Sequence, residues 1–409
     1  MDILPILSTL RRHKITAWLL IMQIALTCAI VCNAIFLISQ RLQRMDMPTG
    51  IAEHELVQIQ LAYTGNPSDA NARAQNDLAA LRQIPGVREA ALIRSLPFGG
   101  DGVNTDIALK AQQQQRTLSA ANNFGQNMFP TLGLKLVAGR DFKAEEYVAM
   151  DAVTAALQSG HMKDAPQTVI ITKSLAERLW PGQSALGQTL YFGKDLPFRV
   201  IGVMTRLTRS DHLSMGADNS MVMPITVNPN DGASYVIRCA PGDRARVLSA
   251  ALAKLKQIDP RRVVLQKRTY DDLRRAFFAN DRAMAGILTG VVVALLIVTS
   301  LGIVGLASFW VSQRRRTIGV RRALGATRAD ILHYFQTENF LLATIGIAIG
   351  MALAFGINLY LMQHYELPRL PVIYFPIGAI ALWVIGQLAV LGPALRAAAV
   401  PPVVATRSV

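Results

Sequence analysis

The chain has little of what a soluble enzyme is built from. Only 17% of its 409 residues are charged, against about 25% in ordinary globular domains. Its three cysteines, Cys28, Cys32 and Cys239, are too few for a disulfide scaffold. Two of them lie inside an apolar run. The G-x-x-x-x-G-K-[ST] phosphate loop is absent: Gly193-Lys194 lacks both the Ser/Thr and the upstream glycine spacing, so there is no ready cradle for ATP phosphates. His-Glu-x-x-His and the G-x-S-x-G elbow are missing as well. The histidines His13, His54, His161, His212, His333 and His364 are scattered, none at metal-ligand spacing from a cysteine. These absences point away from catalytic residues, a cofactor or a metal in this chain.

What is present is apolar. Hydrophobic residues make up 51% and the mean hydropathy is +0.30, which excludes a disordered chain. Lys and Arg total 42 against 27 Asp and Glu, a net charge of +15. The charge sits in blocks beside apolar runs, a membrane pattern and not a nucleic-acid one.

Four runs reach the roughly 20 residues a bilayer requires: 15–38, 284–311, 340–361 and 372–391. The first is longer than the apolar core of a signal peptide and lacks a small-x-small cleavage site, so it reads as a retained anchor. Arg11, Arg12 and Lys14 precede it. Arg314, Arg315, Arg316, Arg321, Arg322 and Arg328 crowd the 312–339 loop, and Arg396 and Arg407 follow the last span. The 362–371 loop has only Arg369. Positive-inside counting then puts residues 1–14, the Arg-rich loop and the 392–409 tail in the cytoplasm, and residues 39–283 outside.

The outside segment shows strand–helix–strand twice. Leu56 to Leu61, a helix pattern at 71–83 and Val87 to Ile93 form one half. Tyr235 to Arg238, a helix pattern at 245–256 and Val263 to Leu265 form the other. Two such halves fit a ferredoxin-like α+β unit, with core halves at about 46–98 and 220–275, in preference to two unrelated α/β hairpins. Between them, 99–219 is richer in strand and turn signals (Thr168 to Ile171, Arg199 to Val203) and reads as an inserted subdomain. Small residues at Gly286 and Gly290, and at Gly346 and Gly350, have the spacing that lets helix backbones approach, within one subunit or between two. Gln23, Thr27 and Asn33 in the first span are placed to bond across helices. Phe277 and Phe278 fit either a relay between the outside domain and span two or interfacial anchors.

The most patterned stretch runs from Gln313 to Ile331. Ile318, Arg322 and Gly325-Ala326 fall at helical spacing, and Gly325 can end a helix. This stretch resembles the R-x-R-E-I-G-I-R-x-A-L-G-A signature of the MacB/FtsX-type ABC transporter permeases, with Thr317 where that family has Glu. Gln336 and Glu338 resemble its Q-F-x-x-E segment; an acid there reads best as one paired with a nearby arginine. Leu132 to Phe142, with Gly139-Arg140-Asp141-Phe142, resembles its G-L-x-L-x-x-G-R-x-F stretch. The region from Val169 through Gly187 and the tail Pro393 to Ala398, with Pro401, Ala405 and Arg407, resemble two more of its motifs.

The resemblance implies a ferredoxin-like, porter-type core in the periplasm on four transmembrane helices. It implies that Ile318, Gly319, Arg321, Arg322, Ala323, Leu324 and Gly325 dock a separate ABC ATPase that binds ATP and Mg. It also implies a second permease, identical or paralogous, a membrane-fusion adaptor and a TolC-like outer-membrane duct, all about the bacterial inner membrane. MacB carries its ATPase ahead of the first span; here about 14 residues precede it, so the ATPase is expected on another polypeptide. MacB-like efflux is the leading expectation. Lol-like lipoprotein release, FtsX-like signalling and a sensor without an ATPase stay open beside it.

Overall fold

The computed structural model describes residues 14–62, 69–113, 117–159, 166–192, 196–210, 216–365 and 369–399. Arg11, Arg12, Gly193-Lys194, Pro401, Ala405 and Arg407 lie outside them. The chain begins with α1 (Lys14–Met45), β1 (Leu56–Ala62), α2 (Ala70–Arg82) and β2 (Val87–Ile93). Next come β3 (Val103–Ala108), β4 (Leu118–Phe124), α3 (Met128–Leu132), β5 (Leu136–Gly139), β6 (Val148–Ala149) and α4 (Met150–Ser159). These are followed by β7 (Thr168–Thr172), α5 (Lys173–Leu179), β8 (Thr189–Phe192), β9 (Leu196–Met204), β10 (Ser220–Met223) and β11 (Ile225–Thr226). Then β12 (Ser234–Cys239), α6 (Arg244–Ile258), β13 (Val263–Thr269) and α7 (Tyr270–Phe277) lead into α8 (Ala279–Gln313), α9 (Arg315–Ala323), α10 (Arg328–Tyr365) and α11 (Tyr374–Ala398). The chain divides into two compact units, Asp46–Ala279 and Met1–Met45 with Asn280–Val409.

In the helical unit, α1, α8, α10 and α11 are each long and apolar enough to cross a membrane. Two glycines let α1 and α10 pack backbone to backbone. A Cβ on Gly350 would stand 2.5 Å from the Cys28 Cβ and 2.6 Å from the Ala25 carbonyl oxygen; one on Gly346 would stand 2.9 Å from Ile24. Polar groups bond across the helices, since apolar surroundings offer them no water. The Thr27 and Thr299 hydroxyls lie 2.8 Å apart. The Asn33 amide donates to the Ala354 carbonyl at 3.2 Å, and the Gln23 amide donates to that of Val298 at 3.2 Å. Arg41 of α1 pairs with Asp281 of α8. Gly286 and Gly290 differ from the α10 pair: nothing lies within 4 Å of where their Cβ atoms would be.

The other unit holds two sheets. In the first, β13-β1-β12-β2 run antiparallel. Strand alternation sends Val57, Ile59 and Leu61 of β1 into a core shared with Leu78 and Leu81 of α2 and Val247, Ala251 and Leu255 of α6. Numbered within this sub-unit, the order is 4-1-3-2 with two crossover helices, the ferredoxin-like arrangement. A buried ion pair ties its parts together: Arg262 approaches Asp77 at 2.8 Å, and the Tyr235 hydroxyl donates to Asp77 at 2.6 Å.

The second sheet runs β5-β9-β7-β10-β4-β3-β8, and β8 also pairs with β9. The sheet therefore closes on itself, with β5 continuing along the far half of β9. Val169, Ile171, Leu190, Phe192, Phe198 and Val200 are among its buried residues. The boundary of the insertion differs from the expectation. Ser220–Met223 pairs with β4 and β7, so the second core half begins at Ser234 and not near residue 220.

Candidate functional site

The Gln313–Ile331 stretch forms a short helix between two long ones. Helix α8 ends at Gln313, and Arg314 is the N-cap of α9. Gly325 adopts φ +101°, the left-handed conformation that glycine reaches without Cβ strain. The Gly325 N–H bonds to the Arg322 carbonyl at 3.2 Å and closes the helix. Thr327 and Asp330 then start α10 with reciprocal capping bonds: the Thr327 hydroxyl donates to Asp330 at 2.7 Å, and the Asp330 N–H donates back at 3.2 Å.

The helix has an inner and an outer face. Ile318 and Gly319 are buried, and Ile318 shares an apolar cluster with Trp310, Ile331, Phe335 and Ala397. Arg322 also turns inward, its guanidinium donating to the Ala398 carbonyl of α11 at 3.1 Å. Thr317, Val320, Arg321 and Leu324 are exposed, at i, i+3, i+4 and i+7 spacing, which places them on one face. Leu324 is 84% exposed and Val320 46%. Of the seven residues named from the sequence, then, Arg321, Ala323, Leu324 and Gly325 face outward and Ile318, Gly319 and Arg322 hold the helix down. Val320 belongs to the outer face although the sequence reading passed over it. The heptad spacing from Thr317 to Leu324 was the signal for it.

An ion pair anchors this helix at its start. Arg314 Nη1 lies 2.8 and 3.1 Å from the two carboxylate oxygens of Glu338, and Nη2 lies 3.1 Å from one. Glu338 is 1% exposed. The same guanidinium lies over the Trp310 ring at 5.8 Å, and Arg321 lies over Tyr334 at 5.1 Å. Arg315, Arg316 and Arg328 are exposed as well; Arg316 lies one turn before Val320, whereas Arg315 falls on the Ile318 side of the helix. None of the three has an ion-pair partner among the described residues. The surface therefore offers two apolar side chains flanked by Arg316 and Arg321, chemistry suited to an apolar pocket with an acidic rim.

In the large domain, Phe277 and Phe278 pack on Phe98 with ring centroids 5.2 and 4.9 Å apart. Arg274 lies 5.2 Å over Phe98 and donates to Glu53 at 2.6 and 2.7 Å. The two phenylalanines thus belong to a packed aromatic cluster of that domain. Glu55 accepts from Arg238 at 2.6 Å; this guanidinium, with Arg88, holds its carboxyl below the usual carboxylate range. Arg140 grips Glu146 at 2.6 and 2.8 Å and likewise holds that carboxyl down. Gly139, at φ +80°, approaches β9 so closely that a Cβ there would stand 2.2 Å from the Ile201 carbonyl oxygen.

Two family models match the sequence: the MacB-like periplasmic core domain over residues 20–255 and the FtsX-like permease C-terminal over residues 289–402. The chain is similar to the macrolide export ATP-binding/permease protein MacB of Neisseria gonorrhoeae, 26% identical over 269 residues, 65% of this chain and 38% of the relative. It is similar to the MacB of Chromobacterium violaceum, 27% identical over 320 residues, 74% of this chain and 47% of the relative. It thus spans less than half the length of these relatives. The periplasmic region of MacB from Actinobacillus actinomycetemcomitans aligns at 16% identity with a TM-score of 0.33, over 56% of this chain and 94% of that one.

Proposed function

The chain belongs to the family of MacB/FtsX-type ABC transporter permeases, and from that membership we propose that it is the membrane subunit of a MacB-like exporter. In this reading a separate ABC ATPase binds ATP and Mg and docks on the outer face of α9. Its motion passes through α8 and α10 to the large domain on the far side of the inner membrane. That domain drives efflux through a periplasmic adaptor and a TolC-like outer-membrane duct. Both termini are cytoplasmic, and two permeases pair, in the same or a paralogous form, with the open Gly286 and Gly290 face as the candidate contact.

The observation that carries this reading is the two-sided α9. Its inner face is fixed to the permease by the Arg314–Glu338 pair, Ile318 and Arg322. Its outer face holds Val320 and Leu324 exposed amid arginines. Exposed leucine and valine on a rigidly held helix are what a docking partner would bury. A charge placed at Leu324 would be desolvated on docking, a large cost.

The test is to purify the full chain from its native membranes in mild detergent and measure the ATPase that accompanies it. The parent should bring a stoichiometric ABC ATPase whose hydrolysis is measurable, and Leu324→Glu should lose it while Lys256→Gln, exposed in the large domain, keeps it. A Leu324→Glu protein that retains the ATPase at full stoichiometry would overturn the proposal.

A further inference from the structure

Coupling at α9 leaves the Gly139-Arg140-Asp141-Phe142 motif without a role, yet in the structure this motif builds one wall of a cleft in the large domain. The cleft has a volume of about 390 Å³, and the ferredoxin-like core and the insertion both line it. That volume lies within the range of small-molecule sites. Asp141, Phe142 and Tyr147 line it together with Arg82 of α2 and Glu89 of β2.

The charges in this cleft are unevenly matched. Glu146, on the same loop, has its countercharge in Arg140, and it accepts the Lys143 N–H at 2.7 Å as well, so the loop is held in shape. Asp141 has no such cation: among the described residues its carboxylate accepts only the backbone N–H of Phe142, at 2.8 Å. Glu89 accepts from the Asn127 amide at 2.9 Å. Among the described residues Arg82 is the one cation in the lining, and it donates to the Ala90 carbonyl at 2.8 Å. Two carboxylates thus face one guanidinium. Burial pushes the Asp141 carboxyl above the usual range, the mark of a charge without full compensation.

Beside these carboxylates stand two aromatic rings. Phe142 and Tyr147 pack edge to face at 5.9 Å. Burial pushes the Tyr147 phenol up to about 12, so it stays protonated at neutral pH. Carboxylates next to aromatic rings recognise organic cations, by charge and through the ring faces. Among the described residues, no three His, Cys, Asp or Glu side chains gather to hold a metal ion, so the negative charge is arranged for a cation with hydrogen-bond donors of its own.

We infer that this cleft, walled by Asp141, Glu89, Phe142 and Tyr147, is a binding site for small organic ammonium compounds. The proposal does not depend on ATPase docking at α9, and either can fail without the other.

The experiment is isothermal titration of the full chain in lipid nanodiscs with 1,4-diaminobutane. The uncharged 1,4-butanediol and the anionic succinate serve as controls of similar length. The diamine should bind at least tenfold more tightly than either control. Asp141→Asn and Glu89→Gln, near-isosteric changes that each remove one charge, should each weaken it about tenfold. Glu145→Gln, an exposed carboxylate on the same loop but outside the lining, should leave it unchanged. Ala144→Trp, on the exposed rim, should block the cleft and abolish binding; this readout carries the test if an internal variant melts early. Diamine binding no tighter than that of butanediol would overturn the proposal. So would binding left intact by both charge removals, or by the tryptophan plug.

Discussion

The ion pair between Arg314 and Glu338 should be worth far more broken than its surface counterparts, and unequally so from its two sides. The closest approach is 2.8 Å. At an effective dielectric of about 20, two unit charges that close attract by about 6 kcal/mol. Desolvating the pair offsets much of this, so the intact pair adds little net stability, but removing one partner strands the other at a cost of about 3–5 kcal/mol. Side-chain exposure is 15% for Arg314 and 1% for Glu338. An orphaned Arg314 can reach water and its place over Trp310, whereas an orphaned Glu338 cannot. Glu338→Gln should therefore cost about 3 kcal/mol and Arg314→Met about 5 kcal/mol. The double variant Arg314→Met, Glu338→Met, which strands no charge, should recover at least half of the larger loss. Equilibrium unfolding in mixed micelles would measure all three. Single losses below about 1 kcal/mol, or a greater loss from Glu338→Gln than from Arg314→Met, would refute the reasoning.

Other consequences follow from the packing and the charges. Gly350→Val should destabilise the isolated subunit by about 1–3 kcal/mol through overpacking, because its Cβ would stand 2.5 Å from that of Cys28. Gly286→Val meets open space in the subunit, so it should leave subunit melting unchanged and weaken only pairing between subunits, read by crosslinking yield. Glu55 and Glu146 have carboxyls held below the ordinary range, so their ion pairs stabilise fully above about pH 4.3, the unfolded Glu value, and the contribution is lost as pH falls through the lower folded values. The acid limb of the melting-temperature profile should flatten in Glu55→Gln and Glu146→Gln. Gly139→Ala should melt well below the parent, since it combines positive φ with a 2.2 Å approach to Ile201.

Much of this architecture was legible because each period is local. Long apolar runs gave the long helices, though the helices outrun them: α1 continues to Met45 and α8 starts at Ala279. Their polar flanks stay helical, as the Arg41–Asp281 pair illustrates. Alternation in Val57, Ile59 and Leu61, with Pro/Gly breaks, gave the strand–helix–strand halves. Closure of the second sheet was not legible, since β8 pairs not only with β9, the next strand in sequence, but also with β3, far earlier in the chain. No local pattern encodes that. The acid at Glu338 was readable as one seeking an arginine, but its partner among several could be named only from the fold. For α9, helical spacing showed a stripe at Ile318 and Arg322. Which stripe faces inward depends on α10 and α11 covering it, so Val320 went unnoticed. The cleft was hidden for the same reason: its lining comes from residues far apart in sequence, from α2, β2 and the loop around Asp141.

The most direct measurement is site-specific photocrosslinking in native membranes, with a photoreactive side chain placed singly at Val320, Leu324 and Ile318. Leu324 and Val320 should crosslink to an ABC ATPase, and Ile318, buried against its own chain, should crosslink within the permease alone. An ATPase adduct from Ile318, or none from either outer position, would contradict docking on the outer face of α9.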